Sequence, residues 1–206
     1  MNEQIVLVTG FEPFADDTVN PSREVAKALD GKRVGAAVVR SVILPVQHDA
    51  ARAQVTAALA DVEPVAILHL GLAGGRARIA LEQVAVNVMD YPLPDAHGDV
   101  LRGERCVANG PAGYFATLPL QAILTELTSE GLPAYVSYTA GTYLCNYVLY
   151  TTLHVLAERG TATPAGFVHV PFLPSMVAAH GREEPSMDLG LMIRAAEITL
   201  RVLVDR

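Results

Sequence analysis

The chain reads as an α/β protein: a single α/β/α sandwich domain over residues 1–206, built on a mostly parallel open sheet. Three observations predict this. Short β-branched runs alternate with helical stretches almost throughout. Several runs are apolar on both faces, as strands covered by helices on both sides must be. Many of them run directly into Gly- or Pro-rich loops. At 206 residues and 51% hydrophobic composition the chain is long enough to bury one layered core. No linker, low-complexity tract or repeat divides it.

Taken in order, Ile5–Thr9 is a buried strand ending at Gly10. The loop Gly10–Pro21 follows, and Ser22 is placed to cap a helix through Leu29. Val38–Val46 is a second strand and Ala-rich Asp49–Leu59 a helix. Val65–Leu70 is a third strand, broken by the Gly71–Arg76 segment GLAGGR. Val84, Val86 and Val88 alternate with Ala85 and Asn87, which predicts a strand with its polar side on Asn87. Asp90–Gly113 has little periodicity, and a loop of that length in a compact domain points to function. Pro119–Glu130 is a helix with Pro at its opening and Gly131 past its end. Ala134–Tyr138 is a strand. A helix whose stripe runs from Leu144 to Leu156 is closed by Gly160. Gly166–Val170 is a strand leading into PFLP, and Met187–Leu203 is the last helix.

Composition narrows the function classes. The formal net charge is -7 with no Lys/Arg cluster, so nucleic acid is not an expected partner. The apolar runs are too short to span a bilayer, and MNEQIVLVTG is not a signal peptide. Two cysteines, Cys106 and Cys145, do not make a disulfide framework. The expected compartment is the cytoplasm, where a free nucleophilic thiol is at home.

In such folds ligands bind beyond the carboxyl ends of the strands. Cys145 follows Thr139-Ala-Gly-Thr near a helix start, where unpaired N–H groups and the helix dipole favour a thiolate and can face an oxyanion. Position alone leaves it open between a nucleophile and a buried core cysteine. His169, within FVHVPF, becomes a base candidate beside such a thiol, and His69 is its strongest rival. Glu82, Asp90 and Asp95 can each orient an imidazole, and spacing does not choose among them. GLAGGR lacks the Gly-Lys-Ser/Thr ending of a P-loop, and the dinucleotide spacing is absent. No His-Glu-x-x-His or cysteine pair suggests a metal, so neither cofactor nor metal is expected.

Three blocks then carry a resemblance: VLVTGFEPFADDTVNPS (Val6–Ser22), GLAGGRARIALEQVAVNVMD (Gly71–Asp90), and TAGTYLCNYVLYTTLH (Thr139–His154) with GFVHVPFLP (Gly166–Pro174). Across nearly its whole length the chain resembles the pyroglutamyl-peptidase type I family, also called pyrrolidone-carboxylate peptidases. The resemblance implies an open α/β/α sandwich of the phosphorylase/hydrolase-like kind and cofactor-free cysteine-peptidase activity on peptides blocked by N-terminal 5-oxoproline. It implies a Cys-His-Glu triad falling on Cys145, His169 and Glu82. It implies a lactam pocket with Phe11 and Phe14 as its aromatic residues and Asn20 nearby, completed by backbone around Gly71, Leu72 and Val84. It also implies a cytosolic homo-oligomer, a tetramer in bacterial relatives.

Two departures stand out. The family's Asp-Ala-Arg-Ile-Pro-Asp reads DYPLPD here, so Pro92 stands at its arginine with Tyr91 beside it, in the wall or rim of the site. Tyr138 stands where Asn is usual. The alternatives are a purine nucleoside phosphorylase or nucleosidase on a related sheet, or a catalytically impaired homo-oligomeric relative.

Overall fold

The computed structural model describes residues 3–204, so the two residues at each end of the expected 1–206 domain lie outside the described residues. In chain order the elements are β1 (Gln4–Phe11), α1 (Pro21–Leu29), β2 (Arg33–Val34), β3 (Ala37–Leu44), α2 (His48–Val62), β4 (Ala66–Leu72), β5 (Ile79–Glu82), β6 (Val84–Val86), β7 (Gly113–Phe115), α3 (Leu120–Ser129), β8 (Ala134–Ser137), α4 (Leu144–Glu158), β9 (Ala165–Val170), α5 (Pro174–His180) and α6 (Leu189–Val204). One seven-stranded sheet has the order β2-β3-β1-β4-β9-β5-β8, and β6 pairs with β7 in a separate ribbon. The pairs β3·β1, β1·β4, β4·β9 and β5·β8 are parallel. β2 runs against β3, and β5 runs against β9.

Both faces of the sheet are covered. Val6, Val8, Leu68 and Leu70 pack with residues of α1, α3 and α6. On the other side Leu7, Ile67 and Phe167 pack with α2 and α4. Alternate residues of one strand thus serve two cores, which is why these strands read as continuous apolar runs. The fold class expected from the sequence holds.

Four local differences have physical reasons. Asn20, not Ser22, caps α1: its Oδ1 accepts from the Ser22 amide at 3.0 Å and the Ser22 hydroxyl at 2.8 Å. Pro21 takes the first helical position, where it has no N–H to leave unpaired. The strand β5 lies between the expected break at Gly71–Arg76 and the expected strand from Val84, where no element had been assigned. The expected 84–88 strand is shorter, and its sides are reversed: Ala85 and Asn87 are buried while the three valines are half-buried. Asn87 turns inward because its amide donates to the Val107 and Gly110 carbonyls and accepts from the Val107 amide. Finally, α5 begins at Pro174, where no helix was expected.

The long excursion after Met89 is clamped rather than loose. Asp95, 4% exposed, accepts from the His97, Asp99 and His48 amides, and Tyr91 is fully buried beneath it. The Asn146 side chain ties α4 to this region through both the N–H and C=O of Val86.

Candidate active site

Three elements bring the reactive groups together. Gly71, on β4, is register partner of His169 on β9. A Cβ on Gly71 would lie 2.6 Å from the Phe167 ring and 3.0 Å from the Cys145 sulfur, so only glycine lets the thiol rest against this strand. Glu82 pairs in register with Phe167, and Ala80 with His169. Because β5 runs against β9, Glu82 lies one diagonal step from His169 on the same face. Its Oε1 meets His169 Nδ1 at 2.7 Å. Had β5 been parallel, the carboxylate would have been carried the other way along β9.

Cys145 is the second residue of α4, and no side chain caps that helix start. The first-turn amides therefore remain available for an anion. Sequence reasoning placed Cys145 beyond the carboxyl end of a parallel strand. The structure reaches the same spot differently: β8 runs against β9, and the segment after it carries the chain back to the sulfur.

The electrostatics of the cluster follow from its partners. Burial alone pulls the His169 pKa down, but the Cys145 charge and hydrogen bond, then those of Glu82, outweigh it and raise the value from 6.5 to about 9. His169 therefore holds both protons at neutral pH. Nδ1 donates to Glu82, and Nε2 is left for the sulfur. Glu82 is fully buried, and Arg76 adds a second cation at 3.2 Å on the same oxygen. Its Oε2 has no hydrogen-bond partner among the described residues. Arg76 was not singled out from the sequence, although it closes the GLAGGR segment.

His69, the rival base, is excluded by its surroundings. It is fully buried, with Nδ1 on the Thr9 hydroxyl at 2.8 Å and Nε2 on the Thr152 hydroxyl at 2.9 Å. Burial pushes its pKa down to about 3, so it stays neutral and has no route to a substrate. Cys106 is likewise inert: it is 4% exposed, and burial pushes its thiol up to about 12. Asp90 pairs with Arg102 at 3.6 Å and Asp95 with His48 at 3.1 Å, so neither faces His169.

Beside Cys145 opens a small, mainly apolar cavity of about 180 Å³, lined by residues including Phe11, Phe14, Asn20, Leu72, Tyr143 and Cys145. Larger grooves open elsewhere, one of about 600 Å³ between α1 and α6, but it holds charged pairs and no thiol. Asn20 reaches the cavity while its polar atoms brace the loop, Nδ2 donating to the Glu12 carbonyl at 3.0 Å.

Gly71, Val84, Tyr91 and Pro92, all expected at the substrate, do not line this cavity. Val84 belongs to the β6–β7 ribbon, Pro92 is exposed, and Tyr91 is fully buried rather than at a rim. Tyr91 acts from behind the wall, its ring edge-on to Tyr143 at 4.6 Å. Tyr143 in turn bonds the Pro94 carbonyl at 3.2 Å and packs on Phe14 at 6.2 Å. Tyr143 was missed from the sequence, though its place beside Cys145 at a helix start was a usable signal.

A family model described as pyroglutamyl peptidase matches residues 4–206. The chain belongs to the pyroglutamyl peptidase family. It is 39% identical to the pyrrolidone-carboxylate peptidase of Pyrococcus furiosus over 203 residues, covering 97% of this chain and 98% of that one. It is 44% identical to the Klebsiella pneumoniae pyrrolidone-carboxylate peptidase over 197 residues, covering 96% and 91%. Among solved structures, the pyrrolidone carboxyl peptidase of Thermococcus litoralis superposes with a TM-score of 0.95 at 40% identity, covering 98% of this chain and 94% of that one. A mutant of the Pyrococcus furiosus enzyme gives 0.96 at 38% identity, covering 98% and 99%. The overall architecture of these solved relatives is thus shared by this chain.

Proposed function

We propose that this chain is a cysteine peptidase that removes N-terminal pyroglutamate from peptides and amides. The observation that carries the reading is one constellation: a thiol at an uncapped helix start, an imidazole beside it held by a buried carboxylate, and a small apolar cavity at the sulfur. The family membership supports the substrate class.

The chemistry follows from the charges. The Cys145 thiolate attacks the carbonyl that joins pyroglutamate to the next residue. First-turn amides of α4 receive the oxyanion as it forms. His169 gives its Nε2 proton to the departing amine, the C–N bond breaks, and a thioester remains. Neutral His169 then takes a proton from water, whose oxygen attacks the thioester and releases the thiolate. Glu82 keeps Nδ1 protonated throughout and steadies the imidazolium. Side chains, backbone and water suffice for every step. Phe11 and Phe14 flank the flat lactam, and backbone at Leu72 meets its polar edge.

Several finer readings belong to the same proposal. The chain works as one domain, in the cytoplasm, as a homo-oligomer, with pyroglutamyl peptides and not nucleic acid as partners. Among the described residues no helix is long and apolar enough to cross a membrane. Phe115 and Tyr138, 69% and 75% exposed, offer apolar surface for a second copy.

The deciding experiment compares one fluorogenic leaving group on pyroglutamate and on proline, with purine nucleosides as a third substrate. Proline lacks the lactam carbonyl and carries a charged amine, so it leaves a donor unpaired and buries a charge. We expect kcat/KM for the pyroglutamyl amide to exceed that for the prolyl amide by at least about 10³-fold. A ratio near unity, or cleavage of the nucleosides instead, would overturn the reading.

A further inference from the structure

The wall of the cavity is a loop, and that loop is held from outside. Phe14, Ala15, Asp17 and Val19 all line the cavity. The base of the loop is well tied: Glu12 donates to the Leu44 carbonyl at 2.9 Å, and Asn20 reaches back to the Glu12 carbonyl at 3.0 Å. The tip is not. Among the described residues, segment 13–19 makes one backbone bond, from the Asp17 amide to the Phe14 carbonyl at 3.3 Å. Ala15 is held at a φ of 56°, a left-handed conformation costly for a residue with a side chain.

Among the described residues, the one side-chain hydrogen bond from the tip goes to His180, the last residue of α5. His180 Nε2 meets Asp17 Oδ1 at 3.0 Å, and Nδ1 meets Glu184 Oε2 at 2.8 Å. The ring also stands edge-on to Phe172 at 5.0 Å. Phe172 lies on the segment between β9 and α5, three residues after His169. Behind the loop this leaves a groove of about 730 Å³, into which Asp17 and His180 both face.

We propose that His180 is a positioning residue: by bridging Asp17 and Glu184 it holds the Phe14–Val19 wall against the chain that follows the His169 strand, and thereby sets substrate affinity. The proposal rests on reading the cavity as the lactam pocket. The bridge needs a doubly protonated ring, because each nitrogen faces a carboxylate and a neutral imidazole has only one N–H. Deprotonation turns one of the two bonds into a lone pair facing an anion. The charged groups around the ring are Asp17 from the loop, Glu184 after α5, and Arg182, which shares Glu184 through Oε1 at 3.3 Å. Asp16 lines the same groove. The bonds to Asp17 and Glu184 raise the His180 pKa above its usual value, so the bridged form extends to higher pH than it would for a free imidazole. Raising the pH far enough to deprotonate the ring therefore loosens the wall.

The test uses the full chain with His180→Ala and Asp17→Asn. Amide exchange across residues 12–20, followed by mass spectrometry without substrate, reads the wall directly. In His180→Ala it speeds up about fivefold at neutral pH, and KM for a pyroglutamyl amide rises by a similar factor while kcat stays within about twofold. In wild type, exchange across 12–20 gains an extra acceleration at alkaline pH beyond the intrinsic one. In Asp17→Asn that extra acceleration disappears, because the new side-chain amide donates to the neutral ring and keeps the bridge. A purely structural histidine would shift melting without this pH pattern. Unchanged exchange in His180→Ala would overturn the proposal whatever the substrate is. Faster exchange with an unchanged KM would overturn the positioning role. Failure of wild type to cleave any pyroglutamyl amide would sink the functional reading, while the exchange arm still decides the bridge.

Discussion

His69 and His169 lie on neighbouring parallel strands, close enough that the Phe167 ring touches both imidazoles, with centroids 6.2 and 4.7 Å away. Both are buried, at 0% and 4% exposure. Yet His69 is held neutral, with its pKa pushed to about 3, and His169 is held protonated, with its pKa raised to about 9. The difference lies in what each ring faces. Thr9 and Thr152 offer His69 hydroxyls, which satisfy hydrogen bonds and leave desolvation unopposed. Glu82 and Cys145 offer His169 negative charge. Burial makes a histidine neither catalytic nor inert; its partners decide.

The largest expected effect separates the two rings by exchange for the same amide. A glutamine has one donor and one acceptor end, which is all that two threonine hydroxyls require of residue 69. It carries no transferable proton. We therefore expect His169→Gln to lower kcat on a pyroglutamyl amide by about a hundredfold or more, and His69→Gln by no more than about threefold. Comparable losses in both would erase the distinction.

Stability against pH sharpens it next. His69 stays neutral in the folded chain while the unfolded chain binds a proton below 6.5, so its contribution is complete above 6.5 and is lost as pH falls toward 3. His169 has the opposite sign: its contribution is complete below 6.5 and is lost as pH rises through about 9. Denaturant midpoints should peak near pH 6.5, with limbs no steeper than about 1.4 kcal/mol per pH unit for each ring. His69→Gln should flatten the acid limb, and His169→Gln the alkaline one. If each variant flattened the other limb, the charge assignment would be reversed.

The smallest effect concerns the departure at Tyr91. Among the described residues its hydroxyl has only the Met89 sulfur at 3.8 Å, whereas its ring supports Tyr143. Tyr91→Phe should leave KM within about twofold, and Tyr91→Ala should raise it several-fold by loosening the wall. A large loss in Tyr91→Phe would place the hydroxyl in the chemistry.

The same contrast shows what was legible before the structure. Strands buried on both faces announce themselves as apolar runs, and β1, β4 and β9 were read within a few residues, as was the half-covered β3. The four residues of β5 carry no flanking breaker at Glu82, and strand direction leaves no mark on local pattern, so neither the strand nor its reversal was seen. Asn87 and Tyr91 were misplaced because a polar residue reads as outward, and a residue in an irregular excursion as rim, until the partners that bury them are known. From residues alone His69 and His169 remained rivals; both are strand histidines, and what separates them is contacts distant in sequence, such as those to Thr152 and Glu82, 83 and 87 residues away. The resemblance named the triad, and the contacts supply the physical reason.

The central claim is that partner chemistry leaves one buried imidazole charged and its neighbour neutral. Nuclear magnetic resonance of the histidine rings, assigned with the two glutamine variants and followed from about pH 4 to about pH 10, tests it directly. The account predicts that the His69 ring keeps a single proton across the whole range, while the His169 ring holds two protons through neutrality and loses one near pH 9. Both rings titrating together near 6.5 would contradict it.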